Sequence, residues 1–305
     1  MDDFDKDNVC ILIPTLNEEA TVQQLIRDFH EEGFHNIFII DGNSSDRTRE
    51  LAEAEGARVE VQQGKGKGQA VQEAFGIIDS PYVVMADGDR TYLASDIYTI
   101  LEPLIENKAD QVIGNRFANF EKGAFTKLNL LGNQLLNKLF GFAYGSWLED
   151  ILSGYRGFTR EAIADFDLNE TGFGIETEIA VESVKKEHRI EIVPITYLTR
   201  HSGGATKLNP LRDGFKIGAT IYRLAKLHNP MFYFGIIGTS FVLAGIMTGI
   251  FVVSEWMQGV TRIPMSILTA LLIISGIQMF IFGMLSDLVV SLHRETMRML
   301  RKNQK

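Results

Sequence analysis

The triplet Asp87-Gly88-Asp89 follows directly on an apolar stretch, Tyr82-Val83-Val84-Met85-Ala86. Two carboxylates leaving the end of a strand suit a hard divalent cation, and such a cation carries phosphates. Three more polar clusters follow apolar runs in the same way. Pro14–Glu19 follows Val9–Ile13, Asp41–Thr48 follows Asn36–Ile40, and Gly64–Gly68 follows Ala57–Gln62. Each has a plain reading. Asn17, Glu18 and Glu19 read as a helix start, where acids meet the positive end of the dipole. Asp41-Gly42-Asn43-Ser44-Ser45-Asp46 reads as a turn with an N-cap. Gly64-Lys65-Gly66-Lys67-Gly68 is not a Walker A loop, because no Gly-Lys-Ser/Thr follows at the required spacing. It reads equally as a solvated basic turn or as a helix start that attracts a phosphate. Taken singly, the plain readings are favoured. Four such clusters converging on one sheet edge are much harder to dismiss.

The elements that must position these clusters alternate. Strand signals at 9–13, 36–40, 57–62, 82–86 and 110–113 are separated by helical patterns at 18–32, 46–55, 66–78 and 95–107. Strands joined through helices imply crossovers and a mainly parallel sheet. In such α/β sheets ligands bind beyond the carboxyl ends of the strands, where all four clusters fall.

Two apolar runs follow, Met231–Val253 and Pro264–Val290. The first would be about 34 Å long as a helix, against a hydrocarbon core of about 30 Å. The second is longer and needs tilt. Neither contains Lys or Arg, and Asp287 lies near the end of the second. Lys207, Arg212, Lys216, Arg223 and Lys226 precede the pair; Arg294, Arg298, Arg301, Lys302 and Lys305 follow it. The positive-inside rule puts both flanks, both termini and the N-terminal domain in the cytoplasm of a multi-pass protein of the cell membrane. Residues 210–228 read as an interfacial amphipathic helix or, equally, a plain connector. The expected plan is a catalytic domain at 1–209, a juxtamembrane helix at 210–229, two membrane helices within 230–290 and a basic tail at 291–305. An acidic strand-end pair joined to membrane segments points to transfer of a group from a phosphorylated soluble donor to a lipid.

The chain has 305 residues and a net charge of −9, which argues against a nucleic-acid partner. Its lone Cys10 forbids an internal disulfide. The N-terminus is acidic and has no basic n-region, so a signal peptide is not expected.

Ile13-Pro14-Thr15-Leu16-Asn17-Glu18, Asp41–Thr48, Asp87-Gly88-Asp89 and Ser153-Gly154-Tyr155-Arg156 occur in that order. Over roughly residues 8–209 this resembles a family 2 glycosyltransferase of the GT-A fold, in the dolichyl-phosphate or polyprenyl-phosphate sugar synthase branch. The resemblance implies a Rossmann-like GT-A domain followed by a two-helix transmembrane hairpin. It assigns Pro14, Leu16, Asn17, Glu18, Asp41, Lys67, Asp87 and Gly88 to the nucleotide-sugar. Asp87 and Asp89 would hold Mg²⁺ or Mn²⁺. Arg116, Ser153, Arg156, Arg200 and Lys207 would meet the lipid phosphate, with Asp150 and Arg156 catalytic. Asp150 is expected to orient Arg156 or the acceptor, the alternative being a purely structural Asp150–Arg156 ion pair. Gly42, Thr91 and Thr206 depart from the family pattern, which weakens a mannose donor. The resemblance to archaeal enzymes of surface-protein N-glycosylation makes UDP-glucose the first donor, with UDP-N-acetylglucosamine and GDP-mannose behind it. The acceptor would be dolichyl or polyprenyl phosphate, and a homo-oligomer is compatible with the sequence. A processive polysaccharide synthase is disfavoured by the lack of a Gln-x-x-Arg-Trp motif. An inactive membrane scaffold is disfavoured by the intact acidic pair.

Overall fold

The computed structural model describes residues 4–172, 174–200, 214–215, 217–222 and 229–303. The frame is set by β1 (Val9–Thr15). Its odd positions Val9, Ile11 and Ile13 pack into one buried cluster, and Cys10 and Leu12 into another. A strand buried on both faces reads as an unbroken apolar run and needs helices on both sides. On one face lie residues of α1 (Val22–Glu31) and α4 (Ile97–Ile105). On the other lie residues of α3 (Lys67–Ile77) and α7 (Ile175–Lys185); α2 (Thr48–Ala54), α5 (Lys127–Tyr144) and α6 (Arg160–Asp165) fall between these helices along the chain.

β1 pairs in parallel with β2 (Ile37–Asp41) and β4 (Tyr82–Met85), and β2 with β3 (Arg58–Val61). With β5 (Gln111–Phe120), β6 (Arg156–Thr159) and β7 (Ile190–Tyr197), the order is β3-β2-β1-β4-β6-β5-β7. The sheet is mainly parallel, as expected, with one reversed strand: β6 runs antiparallel to both β4 and β5. Four residues are too few for β6 to show a period. Gly157 within it lets α4 approach, since a Cβ there would lie 2.6 Å from Ile100 Cγ2. Helix α1 begins at Val22 rather than Glu18. The intervening residues form a turn tied to the next loop, with the Glu18 N–H donating to Thr48 Oγ1 at 2.8 Å.

The chain divides into two compact units, Met1–Gly141 with Ser146–Thr220, and Phe142–Gly145 with Ile221–Lys305. The second unit holds two helices long and apolar enough to cross a membrane, Pro230–Met257 and Ile263–Leu292. Only 11% of either apolar window is buried, unlike the core helix of a soluble domain. Asn229 caps the first, accepting from the Phe232 N–H at 3.0 Å, with Pro230 opening the helix. Glycines bring the two helices together: a Cβ on Gly238 would lie 2.9 Å from the Gly276 carbonyl, and one on Gly245 2.7 Å from Ile273. In the 210–229 segment the described residues 214–215 and 217–222 are helical. Lys207, Arg212, Lys216, Arg223 and Lys226 of the basic flank lie outside the described residues.

Candidate active site

The turn after β1 is stitched to the loop after β2. Asn17 adopts φ 53°. Its N–H donates to Ser44 Oγ and its side-chain oxygen accepts from the Ser45 N–H, both at 2.8 Å. Asp41 is fully buried at the tip of β2. It accepts from the Ser44 N–H at 2.7 Å and from Thr15 Oγ1 at 3.2 Å, and lies 3.7 Å from Arg49 Nε. Asn17 and Asp41 therefore shape the cleft wall through their own hydrogen bonds. Pro14 is half-buried, and Leu16, 43% exposed, presents an apolar surface at the rim.

Asp87 and Asp89 flank Gly88 just past β4. Asp87 contacts the Lys67 ammonium and accepts from Tyr92 Oη at 3.3 Å. Burial pushes its carboxyl up, but Lys67, Arg116 and these hydrogen bonds outweigh it and hold it below the ordinary value. Asp89 accepts from Thr91 Oγ1 at 2.6 Å and lies 3.2 Å from Arg200 Nη2, which is also 3.6 Å from Glu18. Burial and the Asp87 charge push the Asp89 carboxyl above its ordinary value, against Thr91 and Arg200. Gly88 is wedged between β1 and the Glu18 turn: its carbonyl accepts from Thr21 Oγ1 at 2.8 Å, and a Cβ would lie 3.1 Å from Thr15.

At the other end of the cleft the ion pair differs from the expected one. Asp150 is fully buried and pairs with Arg116, not Arg156: Arg116 Nε and Nη2 each donate to it at 2.7 Å, and the Arg116 N–H at 3.1 Å. The Arg116 guanidinium also lies over Phe125 and Tyr197, 5.8 and 5.4 Å from their ring centres. Burial disfavours its charge, yet Asp150 more than compensates and raises its pKa. Arg156 is buried to 0% exposure and donates to the carbonyls of Ser153 (2.8 Å) and Ile151 (2.6 Å). Burial lowers its pKa to about 10. Arg156 and Ser153, expected to meet a phosphate, are both buried here, and Arg156 holds the 151–153 loop through its two carbonyl bonds. Arg200 stands on the acidic pair, and Lys207 lies outside the described residues.

Several site residues escaped the sequence reading. Glu176, 5% exposed near the start of α7, contacts the same Lys67 ammonium as Asp87. In sequence it is one acid at a helix start, indistinguishable from a dipole-favoured one. Tyr92 Oη, besides donating to Asp87, accepts from the Gly154 N–H at 3.0 Å. Gly154 is the sole residue type that fits there, since a Cβ would lie 2.4 Å from Asp87 Oδ2. The glycines of Gly64–Gly68 also serve close approach: Gly68 faces the Glu170 carbonyl, 2.0 Å from where its Cβ would be.

Among the described residues, no three His, Cys, Asp or Glu converge as a protein-only metal shell. Two hard carboxylates with Glu18 adjoining fit an ion that takes its remaining oxygens from a ligand's phosphates. Cations at Lys67, Arg200 and Arg116 stand around the pair, each in contact with a carboxylate of the chain itself.

Residues 10–166, just over half the chain, match the family described as Glycosyl transferase family 2. The glycosyltransferase AglJ of Haloferax volcanii is 48% identical over 298 residues, 97% of this chain and 98% of that protein. A dolichyl-phosphate hexose transferase of the same organism is 33% identical over 228 residues, 73% of this chain and 96% of the relative. Among solved structures, glucosyl-3-phosphoglycerate synthase of Mycobacterium tuberculosis with Mn²⁺, UDP-glucose and phosphoglyceric acid shares the fold. Its TM-score is 0.57 at 22% identity, covering 71% of this chain and 79% of that one.

Proposed function

Because this chain belongs to glycosyl transferase family 2, and is a glycosyltransferase, we propose that it transfers one sugar, with inversion, from a nucleotide-sugar to dolichyl or polyprenyl phosphate. UDP-glucose is the first donor, ahead of UDP-N-acetylglucosamine and GDP-mannose. The product would be a lipid-linked sugar for protein N-glycosylation, made on the cytoplasmic leaflet. The observation that carries the reading is the union, in one chain, of the Asp87/Asp89 pair ringed by cations and two helices of membrane-spanning length. A relative named for dolichyl-phosphate hexose transfer supports the acceptor, and a shared fold with a UDP-glucose–Mn²⁺ complex supports the donor and the metal.

The chemistry suits these side chains. A lipid phosphate has a second pKa of about 6, so near neutrality it is largely a dianion. It attacks the anomeric carbon without first losing a proton to a base. Asp150 agrees with this, because its carboxylate is buried and committed to Arg116. Mg²⁺ or Mn²⁺ held by Asp87 and Asp89 would stabilise the charge on the departing diphosphate. The remaining difficulty is bringing two polyanions together. Arg116 and Arg200, with Lys207, would screen the acceptor phosphate, while Arg156 holds the loop beneath. Pro14, Leu16 and the Asp41 wall would line the nucleoside. Purified protein given dolichyl phosphate and radiolabelled UDP-glucose, UDP-N-acetylglucosamine and GDP-mannose in turn tests the reading. Label in the lipid phase from UDP-glucose supports it. Label from another donor replaces the sugar, and no lipid-linked label from any donor rejects the acceptor.

A further inference from the structure

Lys67 is held between two carboxylates. Its ammonium contacts Asp87 Oδ1 and Glu176 Oε1, and the Lys67 and Glu176 side chains are only 16% and 7% exposed. Its backbone has little room to shift. Lys67 opens α3 between two glycines, and a Cβ on Gly66 or Gly68 would lie 2.3 Å from the Thr171 carbonyl or 2.0 Å from the Glu170 carbonyl. The Gly68 N–H donates to that Thr171 carbonyl at 3.1 Å. Gln72 Nε2 donates to the Glu170 carbonyl at 2.7 Å. The pressing loop is itself fixed by Glu178, which accepts the N–H groups of Asn169 (3.0 Å) and Glu170 (2.7 Å). What can move is the flexible four-carbon side chain. Arg200 stands on Asp89 as Lys67 stands on Asp87, so each carboxylate of the pair carries a cation from the protein itself.

We propose that Lys67 is a positioning residue: an internal counter-ion that a divalent metal must displace from Asp87, retained beside the site by Glu176 until the donor diphosphate engages it. The inference rests on the reading of Asp87 and Asp89 as the metal pair. A metal arriving alone breaks the Lys67–Asp87 contact with no return. A metal arriving with a nucleoside diphosphate gives the released ammonium a new anionic partner. Metal and nucleotide therefore bind cooperatively, and the coupling is reciprocal. Lys67 and Glu176 thus guard against an idle metal and favour the metal–donor pair.

The test is Mn²⁺ binding to the full chain in detergent, read by the electron paramagnetic resonance of free Mn²⁺, with and without UDP and, in parallel, GDP. In the wild type one nucleotide should tighten Mn²⁺ binding by roughly tenfold or more. Lys67→Met should tighten Mn²⁺ binding without nucleotide by roughly tenfold and remove most of the nucleotide effect. Lys67→Gln, whose amide can still donate to Glu176, does the same if the Met variant fails to fold. Lys67→Arg keeps the charge and should behave as wild type. If neutral variants bind Mn²⁺ no more tightly than wild type while Asp87→Asn abolishes binding, the counter-ion role is wrong and the metal reading stands. If the wild type binds no Mn²⁺ even with nucleotide, the metal reading falls and this inference with it.

Discussion

Charges in the cleft come in opposed pairs, and each pair sets a different expectation. Asp89→Asn should leave the fold intact and nearly abolish transfer, because it removes one charge from a hard-cation pair. Radiolabel transfer beside a melting curve checks both halves, and near-normal activity in saturating EDTA would defeat the metal role. Asp150→Ala acts on stability instead. It leaves the Arg116 guanidinium, 11% exposed, without its partner. Breaking one side of such a pair costs about 3–5 kcal/mol, whereas replacing both partners by apolar residues costs much less. Denaturant unfolding of Asp150→Ala and of Arg116→Met/Asp150→Leu should show the double variant to be the more stable. Cys10 carries no chemistry: burial pushes its thiol up to about 12. A thiol reagent should therefore modify it only after unfolding.

Among the elements, the positions that admit no side chain are the most sensitive. Gly68→Ala drives a Cβ into the Glu170 carbonyl and so sets α3 against the loop that α7 holds. Overpacking of this kind costs about 1–3 kcal/mol. Calorimetry should show lower stability and weaker binding of nucleotide with Mn²⁺. The far edge of the sheet titrates. Arg189, just before β7, donates to Asp110, just before β5, at 2.6 and 3.1 Å. The hydrogen bonds from Arg189 hold the Asp110 carboxyl below its ordinary value, against burial. A depressed carboxyl adds stability that is present above its unfolded pKa of about 3.9 and is lost as pH falls through the folded value. Arg189→Met should melt below wild type at pH 7, and the gap should narrow as pH drops below about 4.

At the scale of the whole molecule the reading joins a catalytic unit to a membrane anchor. If the two helices span a membrane, as proposed, the positive-inside rule would put the N-terminal unit in the cytoplasm. Protease added outside sealed cells should then spare residues 8–207 and reach at most the connector around Gly259 between the two apolar helices. Cleavage within 8–207 under those conditions would reverse the topology. The near absence of ionisable groups in the two helices argues for an anchor, not an ion path. Their close approach depends on small residues, with Thr269 Oγ1 donating to Thr248 Oγ1 at 3.0 Å in addition. Gly238→Leu should therefore loosen the pair and lower its melting temperature in detergent.

Some of this was decided by the sequence alone. The apolar runs Val9–Ile13, Asn36–Ile40 and Tyr82–Ala86 became the parallel strands β1, β2 and β4, because a strand buried on both faces can hardly be written otherwise. Asp87-Gly88-Asp89 could be placed at a strand end, and two membrane-length helices could be read off, since length and apolarity are local properties. Partner choice is not local. Asp150 lies six residues from Arg156 yet pairs with Arg116, thirty-four residues away, because β5 and β6 bring Arg116 over the loop while Arg156 turns inward to the carbonyls. Glu176 reaches Lys67 across 109 residues, which no spacing rule registers. The reversed strand β6 was equally hidden, as four residues between β4 and β5 draw their direction from neighbours and not from a period of their own. Charge type and hydrophobic period are written along the chain. Which charge neutralises which is settled only when the folded sheet excludes water and makes every unpaired ion costly.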